Sequence, residues 1–174
     1  MALTFELDPR GGPALGHGVL ALWTEVSNAG GAVGFVPPVT VEDVRPEWRK
    51  HLTAMAEGRM RLLVGRDENG EIAATAFLAL NPHRLMAHWI WLYTVMVHPR
   101  HQGKGYGRDL MAAAADAARG LDGIDAIRLT CRGGTGADRF YAACGYKEVG
   151  RVPGAIRVAE GDERDDVIML LPLN

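Results

Sequence analysis

A chain of 174 residues, 48% of them apolar, is about one domain long and large enough for a continuous core, so one domain over 1–174 is expected. No uncharged apolar run approaches the ~20 residues a bilayer span needs, and MALTFELDPR lacks a basic segment followed by an apolar stretch, so neither membrane insertion nor a secretory signal is expected. The formal charge of -2 argues against a surface built for nucleic-acid phosphates, and Cys131 and Cys144, at neither CxxC nor zinc spacing, read as reduced thiols. A cytoplasmic protein is the default, and the preference for Arg over Lys with many Ala and Gly points to a GC-rich bacterial gene.

LTFELD near the start alternates as a first strand, closed by turn residues from Pro9 to Pro13. From Ala14 to Asn28 the positions Leu15, Val19, Leu22, Trp23 and Val26 recur at helical spacing, and AGGAVGFVPPVT then forms a loop with an apolar lining from Val33, Phe35 and Val36. Thr40 reads as an N-cap with Asp43 as an imperfect capping box, and Pro46 as a first-turn residue of a second helix reaching about Glu57. MRLLVGRD and EIAATAFLAL, joined through Glu68-Asn69-Gly70, predict a β-hairpin. HWIWLYTVMV is the strongest strand and is apolar on both faces, as a covered central strand would be.

A helix from Gly107 to about Arg119 and the strand DAIRLTC complete a βαβ unit, whose two strands should be parallel. RGGTG is a loop and ADRFYAAC a short helix stopped by Gly145. YKEVGRV and DDVIMLLPL are the last strands, and in VPGAIRVAEGDERDD the acidic residues Glu160, Asp162, Glu163, Asp165 and Asp166 read either as a rim that could attract a cationic amine or, more commonly for such a run, as a solvated loop. The expected architecture is α/β: a mixed sheet of about six or seven strands flanked by about four helices.

At the strand-to-helix joint stands HPRHQGKGYGRDL, in which Gly103, Gly105 and Gly107 alternate beside Lys104 and Arg108. Glycine lets backbone N–H groups approach a ligand closely and a helix N-terminus carries partial positive charge, so a phosphate or pyrophosphate is the natural occupant. Neither nucleotide pattern fits: GxxxxGK followed by Ser or Thr is absent, and GxGxxG from Gly103 would put its third glycine where the chain has Arg108.

Gln102, Gly105 and Gly107 satisfy Q/R-x-x-G-x-G/A, and Ala137, Phe140, Tyr141, Gly145 and Tyr146 satisfy A-x-x-F/L-Y-x-x-x-G-F/Y. By these two motifs, in this order, the chain resembles the GNAT acyltransferases. GGAVGF and FYAACGYKEVGRVPG are further similar to the tabtoxin-resistance type, which acts on a small amino-acid-like toxin. The resemblance implies a GNAT fold with acetyl-CoA in a split between two parallel strands and direct attack by an amine in a ternary complex. Val95, Met96 and Val97 would pair with the pantetheine arm, and Gln102, Gly103, Lys104, Gly105, Tyr106, Gly107 and Arg108 would hold the pyrophosphate. Tyr141 would be the general acid that protonates the leaving thiolate.

The resemblance fails at the central-strand base, where some members carry glutamate and this chain has Trp91. Trp89, Trp91 and Tyr93 share one strand face, as acceptor-site wall or as core. Glu25 and His88 remain as base candidates, and Glu25, Phe35, Trp91 and Tyr93 are the acceptor-site candidates. At Gly134 the family often has an asparagine for the pantetheine, a contact that Thr135 or backbone N–H groups could replace. Cys144 reads as a small apolar filler, and the six scattered histidines predict no metal, with His101 near enough to the loop to assist it when protonated. The expected acceptor is a small-molecule amine. Protein lysine or N-terminal acetylation, and a non-catalytic acetyl-CoA-binding module, are the alternatives, and a homodimer is a family habit.

Overall fold

A computed structural model describes residues 2–174 and builds them into one seven-stranded sheet, order β1-β2-β3-β4-β5-β7-β6, with two helices against each face. The strands are β1 Thr4–Leu7, β2 Met60–Arg66, β3 Ile72–Leu80, β4 Trp89–Val97, β5 Ala126–Arg132, β6 Lys147–Ala159 and β7 Asp162–Pro172. The helices are α1 Pro13–Asn28, α2 Val41–Ala56, α3 Tyr106–Arg119 and α4 Ala137–Ala143. Every neighbouring pair is antiparallel except β4 with β5, which α3 joins as a crossover. The expected α/β GNAT architecture is therefore present, with its parallel pair at the centre of the sheet.

Alternation along β2, β3 and β4 sorts the core into two layers. Leu62, Val64, Phe77 and Met96 face α1 and α2, meeting Val19, Leu22, Trp23 and Trp48. Leu63, Ala76, Leu78, Ile90 and Leu92 face α3, where Leu110, Met111 and the small residues Ala114, Ala115 and Ala118 let the helix lie close. Burial of such side chains at roughly 25 cal/mol per Å² dominates the stability of both layers.

Two expectations change. Thr40 caps a single continuous helix, and Pro46 lies inside it: Oγ1 of Thr40 accepts from the Asp43 N–H at 3.3 Å while the Asp43 carboxylate accepts from the Thr40 N–H at 2.8 Å. Because this reciprocal box already starts the helix at Val41, Pro46 forgoes only the bond to the Glu42 carbonyl, near an exposed end where solvent can replace it. Thr40→Ala is expected to destabilise the protein by about 1 kcal/mol, read as a lower urea midpoint at unchanged m.

The second change is in VPGAIRVAEGDERDD, which belongs to the long β6–β7 hairpin turning at Glu160-Gly161. Pro153 fits because β6 is an edge strand and its register shifts between Val152 and Ile156. Most of the acidic side chains are matched: Asp165 bonds Arg151 at 3.1 Å, Glu163 bonds Arg157 at 2.9 Å, and Asp162 pairs with Arg164. A cluster so neutralised offers little attraction to a cation.

Candidate active site

The parallel strands β4 and β5 pair only at Trp89–Ala126, Ile90–Ile127 and Trp91–Arg128, after which they diverge. Just beyond, β4 carries an extra residue relative to β3. Phe77 pairs with Tyr93 but Thr75 pairs with Met96, and Thr94 adopts φ 50°, a left-handed conformation rare for a β-branched residue. Strict alternation would send neighbouring side chains to opposite faces, yet Tyr93, Thr94 and Val95 all line one cavity. The bulge thus opens the sheet and turns three consecutive residues toward the opening.

Two cavities meet there. One, about 750 Å³, runs along the split and is bounded by Val95, Val97, Gln102, Gly103, Gly105, Gly107 and Arg108 on one side and by Thr130, Arg132, Thr135 and Tyr141 on the other. The second, about 580 Å³, is walled by Trp23, Phe35, Met60, Tyr93 and Thr94, with Glu47 and His51 from α2. Ala32, Val33, Val95, Thr130 and Tyr141 line both.

The glycine joint has the geometry of an anion cradle. Gly103 and Gly105 take φ 76° and 87°, and Gly105 is the N-cap of α3 without any side-chain cap. Among the described residues, the backbone N–H groups of Gly103, Lys104, Gly105 and Gly107 donate to no protein group. Gln102 instead braces the end of β4, its Nε2 donating to the Val97 carbonyl at 3.1 Å. Met96 is buried against α1 and α2, so at that position backbone alone is available to the groove, and neither Lys104 nor Tyr106 lines it. The Tyr106 ring meets the His101 ring at 5.6 Å, and His101 lies 3.5 Å from Asp67, away from the groove.

Tyr141 sits on α4 between the rings of Phe140 and Tyr146, at 5.2 and 5.9 Å. Its hydroxyl has no hydrogen-bond partner among the described residues, and burial pushes its pKa above the ordinary tyrosine value, with Cys131 and Cys144 adding to the rise. The group is a neutral donor facing the junction of the two cavities. Burial also holds the neighbouring thiols protonated, Cys131 at about 11 with help from Asp138 and Asp166, so neither is a ready nucleophile.

Phe35 and Tyr93 both line the second cavity. Trp91 stands behind Tyr93, stacked on it at 5.9 Å, and the Arg128 guanidinium covers Trp89 and Trp91 at 4.3 and 5.0 Å. Glu25 is elsewhere: its carboxylate accepts from His98 Nε2 at 2.6 Å, in a separate hollow between α1 and the β2–β3 turn. His88 lines neither of the two meeting cavities. Gly134 has φ 77°, and a Cβ there would stand 2.7 Å from Nη1 at the flexible end of Arg164, which would have to shift; Thr135 Oγ1 donates to the Arg132 carbonyl and accepts from the Ala137 N–H while lining the groove. Glu47, His51, Thr130 and Arg132 were not singled out from sequence, since each lies outside any motif. No group of three or more His, Cys, Asp or Glu able to hold a metal occurs among the described residues, and no helix among them is long and apolar enough to cross a membrane.

A split parallel pair, a glycine cradle and a buried neutral phenol therefore come together where two cavities join. The sequence model of the acetyltransferase (GNAT) family matches residues 32–146, and the chain belongs to that family. It is an N-acetyltransferase with acetyl-CoA as its donor. Three solved structures show the same fold. A protein provisionally assigned as a phosphinothricin N-acetyltransferase is 23% identical, with 99% of each chain covered and a TM-score of 0.80. The yncA protein of Salmonella typhimurium, solved with acetyl-CoA, is 20% identical over 100% of this chain and 95% of its own, at a TM-score of 0.75. The ribosomal-protein-alanine N-acetyltransferase of Brucella melitensis is 20% identical over 96% and 99%, at 0.74.

Proposed function

We propose that the chain, acting as one N-acetyltransferase domain over 1–174, transfers acetyl from acetyl-CoA to the primary amine of a small molecule. The observation that carries this reading is the meeting of the two cavities at Val95, Thr130 and Tyr141. Donor and acceptor can therefore react directly, without a covalent enzyme intermediate. A cavity of about 580 Å³, with mostly apolar walls and a few polar groups, is of the size and lining that drug-sized molecules occupy.

The residues divide the work simply. The unbonded N–H groups of Gly103, Gly105 and Gly107 and the Arg108 charge receive the pyrophosphate, and the freed edge of β4 from Val95 to Val97 receives the pantetheine amides as an added strand would. The Tyr141 hydroxyl gives its proton to the sulfur as the C–S bond breaks. Trp23, Phe35, Met60 and Tyr93 favour an acceptor with an apolar body, and the second cavity has Glu47 but no Arg or Lys in its lining. The GGAVGF loop of the tabtoxin-resistance resemblance supplies Ala32, Val33, Gly34 and Phe35 to this cavity, which supports a toxin-, antibiotic- or amino-acid-like amine.

Thiol release from acetyl-CoA tests the reading against a panel of small amines that includes phosphinothricin, aminoglycosides and aromatic amines, set beside peptides with free N-terminal alanine or internal lysine. Turnover confined to small amines is expected. Peptide acetylation alone would replace the reading with protein acetylation, and tight acetyl-CoA binding without release to any acceptor would leave a binding module.

A further inference from the structure

We propose that His51, on α2, is the general base that takes the proton from the acceptor ammonium, standing where the central strand offers only Trp91. This rests on the small-amine reading of the second cavity. Four titratable side chains line that cavity: Glu47, His51, Tyr93 and Tyr141. The Glu47 carboxylate is held at 2.6 Å by Lys50 on the solvent side of the helix. Tyr93 is pushed up by burial and keeps its proton, and Tyr141 is the donor to the sulfur. His51 is left as the group that can accept.

Its tautomer is fixed by its surroundings. Nδ1 lies 2.8 Å from the Glu47 main-chain carbonyl, which can only accept, so Nδ1 carries the proton and Nε2 carries the lone pair. Nε2 has no partner among the described residues. It is also not one of the fully buried unpartnered atoms, which are Thr75 Oγ1, His101 Nδ1, Arg132 Nε and Tyr146 Oη, so it is reached by solvent in a side chain that lines the cavity. Edge contacts to Phe77 at 4.6 Å and Trp23 at 5.3 Å hold the ring in place. Burial lowers its pKa from the ordinary histidine value, the Glu47 carbonyl and carboxylate oppose this, and Lys50 adds to it, which leaves the imidazole neutral and able to accept at pH 7. From the other elements packed around the ring, α1 and β3 present Trp23 and Phe77, and across the cavity β4 and α4 present Tyr93 and Tyr141.

The protons balance. R–NH3+ gives one to Nε2, which later releases it to solvent, and the free amine attacks the thioester carbonyl. As the C–N bond forms and the C–S bond breaks, Tyr141 protonates the thiolate, and the proton lost by the amide nitrogen restores the phenol. The products are R–NH–acetyl, CoA thiol and one proton.

The test is thiol release with the amine panel across about pH 5 to 10, comparing the parent with His51→Gln and with His51→Ala plus free imidazole. The parent should show an acidic limb at or below about pH 6.5, since activity is lost as Nε2 protonates. His51→Gln should lose that limb, with kcat/KM for the amine about a hundredfold lower at pH 7, an unchanged KM for acetyl-CoA, and a deficit that narrows as the amine itself deprotonates at high pH. Imidazole should restore part of the His51→Ala activity. A retained acidic limb in His51→Gln, or an equal loss at every pH without imidazole rescue, would overturn the assignment and leave His51 as a packing residue. If the parent releases thiol to no amine, the small-amine reading fails; His51 is then read in the slow hydrolysis of acetyl-CoA, where water takes the amine's place. There about a tenfold slowing in His51→Gln sustains the base and unchanged hydrolysis removes it.

Discussion

Tyr141→Phe is expected to lower turnover about a hundredfold or more while acetyl-CoA affinity stays within about twofold of the parent. The substitution is unusually clean at this position. The ring keeps its contacts with Phe140 and Tyr146, and the deleted hydroxyl makes no hydrogen bond to any described residue, so neither a cavity nor an orphaned partner is created. What disappears is the proton. Because burial raises the Tyr141 pKa above about 10, the phenol stays protonated as pH rises through the working range, and the parent should show no alkaline loss from this group below about pH 10. Saturating-amine kinetics give the turnover and calorimetry gives the affinity. Undiminished turnover in the phenylalanine variant would remove Tyr141 from the chemistry.

The parts of the candidate site that the sequence marked are those built from consecutive residues. The cradle at Gln102 to Arg108 was legible because three glycines at a strand-to-helix joint define a local conformation, and Phe140-Tyr141 because it sits within seven residues of helix and stop signal. The parallel pairing of β4 and β5 followed from the βαβ unit and their split from the family resemblance, but the bulge at Thr94 carries no sequence mark and decides which side chains enter it.

Glu25 shows the opposite failure. Helix periodicity marked the apolar stripe of α1 without saying which part of it reaches the split, and Glu25 lies two residues, about 200° of helical rotation, from Trp23. Trp23 reaches the second cavity, so Glu25 turns to His98. His51 was invisible for a related reason: it is on a helix far from both motifs, and only the packing of α2 on Trp23 and Phe77 brings it to the cavity. The acidic segment was read as a solvated loop because a run of like charges is commonly solvated, whereas cross-strand pairing sets Glu163 against Arg157 and Asp165 against Arg151.

Gly107→Val should damage both halves of the reaction together, raising the Kd for acetyl-CoA and lowering kcat, each by about tenfold. Gly107 is in ordinary helical backbone, so its conformation does not demand glycine. The constraint is space: a Cβ there would stand 3.1 Å from Cζ and 3.3 Å from Cε2 of Phe140. A valine forces the Phe140 ring away, and Phe140 is joined to Tyr141 both in sequence and by the 5.2 Å ring contact, so displacement of one motif is passed to the other. Overpacking of this kind amounts to roughly 1–3 kcal/mol, enough for a shift of five- to about a hundredfold. Adding Phe140→Leu shortens the obstructing side chain and should return most of the lost kcat, whereas in the parent the same change should lower kcat slightly. A double-mutant cycle reads the coupling directly. Additive losses would show that the pyrophosphate cradle and the tyrosine are positioned independently, and a coupling of opposite sign would place the clash elsewhere in the groove.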